Sequence, residues 1–101
     1  MKDDCLFCKL AHDKDTLIWE NGDCAAFKDI HPKGRVHVLI VPKEHVNSFD
    51  DLTADMAPGF AAAIQEVAKN QGVTGAYRLQ VNVGRDGGQE IGHLHAHVIA
   101  A

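Results

Sequence analysis

Three histidines at two-residue spacing, His93, His95 and His97, are the most chemically loaded stretch of this 101-residue chain. Interleaved with Leu94, Ala96 and Val98, they read as a strand over 93–99 with an all-histidine face and an apolar face. Such a row can bind a metal, or it can act as a nucleophile with proton donors beside it. A solvated polar face is the ordinary alternative for a single histidine, but three in register in so apolar a strand argue against it. Near the other end stands Cys5-x-x-Cys8, a spacing that lets two thiolates grip one zinc ion from a tight turn and that also occurs in thioredoxin-like redox sites. The redox version wants a preceding strand, so the pair is expected to bind zinc, with His45 and one of the three late histidines as candidate further ligands. His37 sits inside an apolar run, where a neutral imidazole needs a hydrogen-bonding partner, either as a satisfied core histidine or beside the late histidines. The loop from Gly84 to Glu90 holds Gly84, Gly87 and Gly88 but no Gly-Lys-Ser/Thr. It is not a Walker motif. Its backbone N–H groups could still approach an anion closely, so loop and histidines could address one phosphate. Asp29 could accept hydrogen bonds from a vicinal diol such as ribose, although aspartate in such a loop is ordinarily a turn residue.

The elements that must position these groups follow from periodicity. Residues 16–20 and 24–28 read as a hairpin in which Asn21-Gly22 supplies positive φ angles. A loop over 29–34 follows. Residues 35–41 are nearly continuous in apolar and β-branched side chains, as in a central strand covered on both faces, and Pro42 ends them. Leu52, Met56, Phe60, Ile64 and Val67 mark an amphipathic helix with its main body from Pro58 to Asn70, a cap at Thr53 or Asp51, and a stop at Gly72. Its stripe is core, part of which could serve a second subunit. Residues 77–83 alternate as a strand before the glycine loop, giving one α+β domain over 1–101 in the order ββ-β-α-ββ.

Composition sets the outer bounds. With 46% hydrophobic and 24% charged residues the chain is an ordinary globular one. Its formal charge of -4 is spread without a basic patch, so nucleic acid is not expected as a main partner. No run is long and apolar enough to span a bilayer or to serve as a secretory signal, so a membrane is not expected either and a cytoplasmic location is. Three cysteines in a reducing compartment do not imply a disulfide framework.

Gly87-Gly88-Gln89-Glu90-Ile91-Gly92 followed by His93-x-His95-x-His97 resembles the signature of the histidine triad (HIT) family. Cys5-x-x-Cys8, Phe27-Lys28-Asp29-Ile30-His31-Pro32, the run from His37 to His45, and Tyr77-Arg78 to Asn82 fall in the matching order, so the resemblance covers nearly the whole chain. The branch it most resembles is the zinc-bearing bacterial type of the histidine-triad nucleotide-binding proteins. The resemblance implies an antiparallel sheet of about five strands with one main helix packed on it, forming a homodimer. It implies a hydrolase of purine nucleoside phosphoramidates or of acyl and aminoacyl adenylates. His95 would be the nucleophile that forms a nucleotidyl-histidine intermediate, with its other ring nitrogen held by a backbone carbonyl from the His37 region. His97 would aid the leaving group, Gln89 and the Gly88 amide would hold phosphate oxygens, and Asn82 would position the phosphate. Asp29 would bind the ribose, and Phe27 and Ile30 would line the base pocket. Residues 1–12 would form a staple in which Cys5, Cys8, His45 and His93 bind a structural zinc. Dinucleoside polyphosphate hydrolysis, a nucleotide-binding module with little turnover, and a catalytic metal on all three triad histidines are the alternatives. Two positions depart from the pattern: Glu90 stands where many relatives carry a serine, and the sequence ends at Ala101 where this branch continues with Gly-Gly and a tail. Both bear on substrate selectivity.

Overall fold

The computed structural model describes residues 4–101; residues 1–3 of the expected 1–12 staple lie outside the described residues. A short helix α1 (Leu6–Leu10) precedes strands β1 (Leu17–Glu20), β2 (Cys24–Lys28) and β3 (Val36–Pro42), helix α2 (Ala57–Asn70), and strands β4 (Arg78–Gln80) and β5 (Ala96–Ala100). The strands form one sheet in the order β1-β2-β3-β5-β4, antiparallel at every joint. The α+β architecture read from the sequence, five strands and one main helix, is therefore the one observed.

β3 lies in the middle and is buried at every residue, which is why its sequence is apolar on both faces. One face packs Val38, Ile40, Ala96 and Val98 against Phe60, Ile64 and Val67 of α2. On the other face, Ala25, Phe27, Leu39 and Val41 are covered by Cys5, Phe7, Cys8 and Ala11. The register puts Phe27 beside Leu39, Leu39 beside His97, and His97 beside Gln80. The N-terminal segment thus roofs the β2–β3 half of that face. Its β3–β5–β4 half is left open, and there His37, His97 and Gln80 stand.

Several boundaries differ from expectation for identifiable reasons. Neither Asn21 nor Gly22 has positive φ. The turn is instead held by the Asn21 side chain, whose Oδ1 accepts from the N–H groups of Asp23 at 2.9 Å and Cys24 at 2.8 Å. β5 begins at Ala96, not His93, because His93 turns away toward the cysteines and the Leu94 N–H donates to the carbonyl of Val46 at 2.7 Å. β4 is correspondingly short, since the positions that residues 82 and 83 would face, 95 and 94, lie outside β5. Pro58 lies in the first turn of α2, where its missing N–H costs nothing, while Thr53 caps the turn ahead of the helix through Met56 N–H at 3.3 Å. α1 has too few residues to show a helical period in the sequence. A five-residue helix is too short to hold itself, so it depends on what its side chains bury.

Gly34 enters β3 where a Cβ would sit 2.3 Å from the carbonyl oxygen of Ala100. Backbone on both sides cannot yield, so Gly34→Ala should destabilise the fold by about 1–3 kcal/mol, read as a lower urea midpoint with unchanged slope.

Candidate active site and metal-ligand cluster

Backbone groups fix the histidine rings, because a carbonyl can only accept and an amide N–H can only donate. The carbonyl of His93 lies 2.8 Å from His95 Nδ1, so Nδ1 carries the proton and donates it. His95 Nε2 is left with its lone pair. The amide of Lys33 donates to His37 Nδ1 at 3.0 Å, so neutral His37 carries its proton on Nε2. That N–H is directed to His97 Nδ1 at 2.9 Å, with Asp29 Oδ2 at 3.3 Å. His97 Nδ1 is therefore an acceptor, and neutral His97 carries its proton on Nε2. Burial holds the pKa of His37 below the ordinary imidazole value against the pull of Asp29. Burial, reinforced by His95 and His37, lowers that of His97 to about 4. Both rings are neutral near pH 7, as the chain of hydrogen bonds requires.

The same reasoning gives His93 and His45 the opposite use. His93 Nε2–H donates to the Pro42 carbonyl at 2.9 Å, which leaves Nδ1 bare toward Cys5 Sγ at 3.4 Å and Cys8 Sγ at 3.5 Å. His45 donates from Nε2 to Asn47 Oδ1 at 2.8 Å and turns Nδ1 to Cys8 Sγ at 3.2 Å. Cys5 caps α1, its sulfur accepting from the Cys8 N–H, which places both thiols on one side of the turn. The four ligand atoms lie within 4.8 Å of one another and could hold a metal ion. Asp29, His37 and His97 also converge within that distance. They form a hydrogen-bonded relay instead, since the Lys33 amide obliges the converging His37 nitrogen to keep its proton. One metal on all three triad histidines fits no better, because His93 Nδ1 faces the thiols and His97 Nδ1 accepts from His37.

His95 and His97 open on a cavity of about 300 Å³ on the free half of the sheet face. Of the residues expected in the site, Asp29, His37, Asn82, Gly88, His95 and His97 line it. Phe27, Ile30 and Gln89 are not among its lining residues. Phe27 is buried beneath Phe7, their ring centres 5.3 Å apart, and Ile30 is 86% exposed. Gln89 ties the glycine loop together, donating to the carbonyls of Asn47 at 2.6 Å and Ile91 at 2.9 Å and accepting from the Gly84 N–H at 2.8 Å. The Gly88 N–H donates within the loop to Arg85. The backbone carbonyl that orients His95 comes from His93, not from the His37 region as expected, because the chain turns at 93–95 before joining the sheet. Phe7, Leu39, Gln80 and Ile91 also line the cavity; each lies inside a recognised motif, but as an apolar or neutral residue whose type suggests no role there. Glu90, noted as a departure, lines it too.

Comparison with known proteins adds an independent result. The HIT domain family matches residues 11–101. Protein HitA of Neisseria gonorrhoeae is 34% identical over 102 residues, covering 96% of this chain and 95% of the relative. The crystal structure of a HIT family hydrolase from Legionella pneumophila superposes with a TM-score of 0.84 at 35% identity, over 96% of this chain and 92% of that one. A histidine triad nucleotide-binding protein from Candida albicans gives a TM-score of 0.82 at 25% identity, over 93% and 72% of the two chains. Among the described residues no helix is long and apolar enough to cross a membrane.

Since the folded pKa of His97 is about 4, below the usual 6.5, the unfolded chain binds a proton first as pH falls. The stability tied to neutral His97 is present above pH 6.5 and is lost between 6.5 and 4. His97→Asn should remove that loss, so that its stability relative to wild type improves by about 2–3 kcal/mol across the window, measured by urea unfolding at both ends.

Proposed function

The chain belongs to the HIT domain family, and on that premise we propose that it is a nucleotide-binding hydrolase of the nucleotide-binding histidine triad branch. The observation that carries this is His95, whose Nδ1–H rests on the His93 carbonyl and leaves Nε2 bare at the wall of a cavity, with a neutral N–H donor, His97 Nε2, on the neighbouring triad ring. The proposed substrates are purine nucleoside 5'-phosphoramidates and aminoacyl or acyl adenylates. His95 Nε2 attacks the α-phosphorus, forming a P–N bond as the bond to the leaving amine or carboxylate breaks. The imidazolium so made keeps its Nδ1–H on the His93 carbonyl, which stabilises the positive charge. His97 donates a hydrogen bond from Nε2 to a phosphate oxygen while its one proton stays on the ring, and a departing amine takes the proton it must leave with from solvent in the open cavity. Water then cleaves the nucleotidyl-histidine, releasing the nucleoside monophosphate and restoring neutral His95. His37 serves as a catalytic aid by holding His97 in the donor tautomer.

Asn82 would position the phosphate and Asp29 would meet the ribose. The Gly88 and Gln89 groups would have to exchange their bonds within the loop for phosphate oxygens on binding. Ile30, exposed beside Asp29, would close over a purine, with Phe27 beneath the site rather than at its surface. A homodimer through β4, an edge strand with Leu79 half-exposed, completes the reading.

We also propose that Cys5, Cys8, His45 and His93 hold zinc. Zn–S and Zn–N bonds of about 2.3 and 2.0–2.1 Å at tetrahedral angles separate S from N by about 3.6 Å. The sulfur–nitrogen distances of 3.2 to 3.5 Å fit. Four protein ligands close the shell, so the ion would supply folding energy and leave the phosphate chemistry to the histidines.

With a fluorogenic adenosine phosphoramidate, the wild type should turn over and His95→Ala should lose at least about a thousandfold in kcat; equal rates would sink the covalent route, and binding without turnover would favour a nucleotide-binding module. Cleavage of dinucleoside polyphosphates in preference to phosphoramidates would move the protein to the other hydrolase reading. Elemental analysis of protein purified without chelator should find one zinc per chain. Its removal should lower the melting temperature by about 10 °C or more, and a full complement of metal in Cys8→Ser would refute the ligand set.

A further inference from the structure

Among the described residues one hydrogen bond and two ring contacts meet the His95 ring, and two of these three belong to its own segment. The His93 carbonyl takes its Nδ1–H, and the His97 ring stands 5.1 Å away at 65°. The third is Phe7, whose ring lies edge-on to His95 at 5.0 Å and 85°. A single hydrogen bond at Nδ1 leaves the ring free to tilt about that bond. An aromatic ring packed edge-on from a different element removes this freedom.

Phe7 is well placed to do so. It stands in the first turn of α1 between the two cysteines of the metal-ligand cluster and is buried between Phe27, at 5.3 Å, and His93, at 6.3 Å. α1 is five residues long and cannot set the position of Phe7 by its own stability. Besides the packing of Phe7 and Ala11 on the sheet, what anchors it on either side of Phe7 is Cys5 and Cys8, both directed at His93, with Cys8 also directed at His45.

We propose that Phe7 is a positioning residue for the nucleophile, delivered to His95 by the metal-binding turn, so that an ion that never touches the substrate governs the aim of His95. The inference rests on the nucleophilic role of His95 proposed above. It assigns the N-terminal staple a part in catalysis beyond stability. Loosening the Cys5–Cys8 turn withdraws the ring, and His95 then samples orientations in which Nε2 no longer points into the cavity. A displacement of this kind lowers kcat more than it weakens nucleotide binding, since the groups facing phosphate and ribose stand on other elements.

The test uses the full chain loaded with one equivalent of zinc and the variants Phe7→Leu and Phe7→Tyr, each with and without chelator. Phe7→Met, which fills the same space without a ring, is carried in parallel, so that whichever ring-less variant keeps its metal and its urea midpoint decides. Three readouts are taken: kcat and KM for an adenosine phosphoramidate, AMP affinity by calorimetry, and the ring-nitrogen resonances of His95 by NMR. The expected result for the ring-less variant is a fall in kcat of about tenfold or more, with KM and AMP affinity within about twofold. Its His95 nitrogens should move toward averaged tautomers, whereas Phe7→Tyr should stay close to wild type. Chelation should lower kcat and shift His95 in the wild type but add little in the ring-less variant. Wild-type kcat and wild-type His95 resonances in a metal-loaded ring-less variant would overturn the proposal, as would chelation effects that simply add. Should the wild type show no turnover, the hydrolase reading fails, and the NMR comparison still decides whether Phe7 and the metal turn orient His95.

Discussion

His93 is the residue on which both halves of the site depend. Its ring is pinned by the Pro42 carbonyl with Nδ1 turned to two thiols, and its own carbonyl holds the Nδ1–H of the next triad histidine. One residue thus faces a metal-type cluster with its side chain and a catalytic-type cavity with its backbone. Both uses require the chain at 93–95 to leave the sheet, because a regular strand would send its carbonyl into the ladder and its ring to the same face as His95 and His97. The interruption of β5 and the shortening of β4 follow from it.

A hydrogen bond to a backbone group is a strong constraint on a histidine because it selects a tautomer as well as an orientation. That rule sorts His37, His93 and His95 directly, and the side chains of Asn47 and His37 extend it to His45 and His97. Where the fixed partner is an acceptor, as for His93, His45 and His95, the opposite nitrogen is left bare, as a ligand or a nucleophile. Where it is the donating Lys33 amide, His37 becomes a proton-bearing relay and passes the role of donor to His97. The low pKa of His97 keeps this arrangement intact at neutral pH, since a protonated His97 could not accept from His37.

The sheet makes the two regions neighbours. α2 covers one face of β3 completely, so the other face is available to be shared between the N-terminal turn and the cavity. Phe7 lies at that boundary, in contact with Phe27 on one side and His95 on the other. This is why a segment that reads as a separate staple in the sequence is a wall of the cavity in the fold.

The amphipathic stripe of α2, the central position of β3 and the five-strand count were legible because each rests on a local period of apolar residues. So was the pairing of Cys5 and Cys8 with His45 and His93, through the resemblance of motifs along the chain. The Asn-Gly pair suggests positive φ at 21–22, but the Asn21 side-chain oxygen closes that turn without it. Gln89 and Phe27 were assigned to ligand contacts by position in a motif, and long-range packing turned Gln89 into the loop and Phe27 under Phe7. By itself the sequence determined which residue types could do chemistry and on which elements they lie. Only the tertiary structure decided which nitrogen of His37, His93 and His95 carries the proton, because the partners that decide it, the carbonyls of Pro42 and His93 and the amide of Lys33, are backbone groups that every sequence possesses and only a fold can aim.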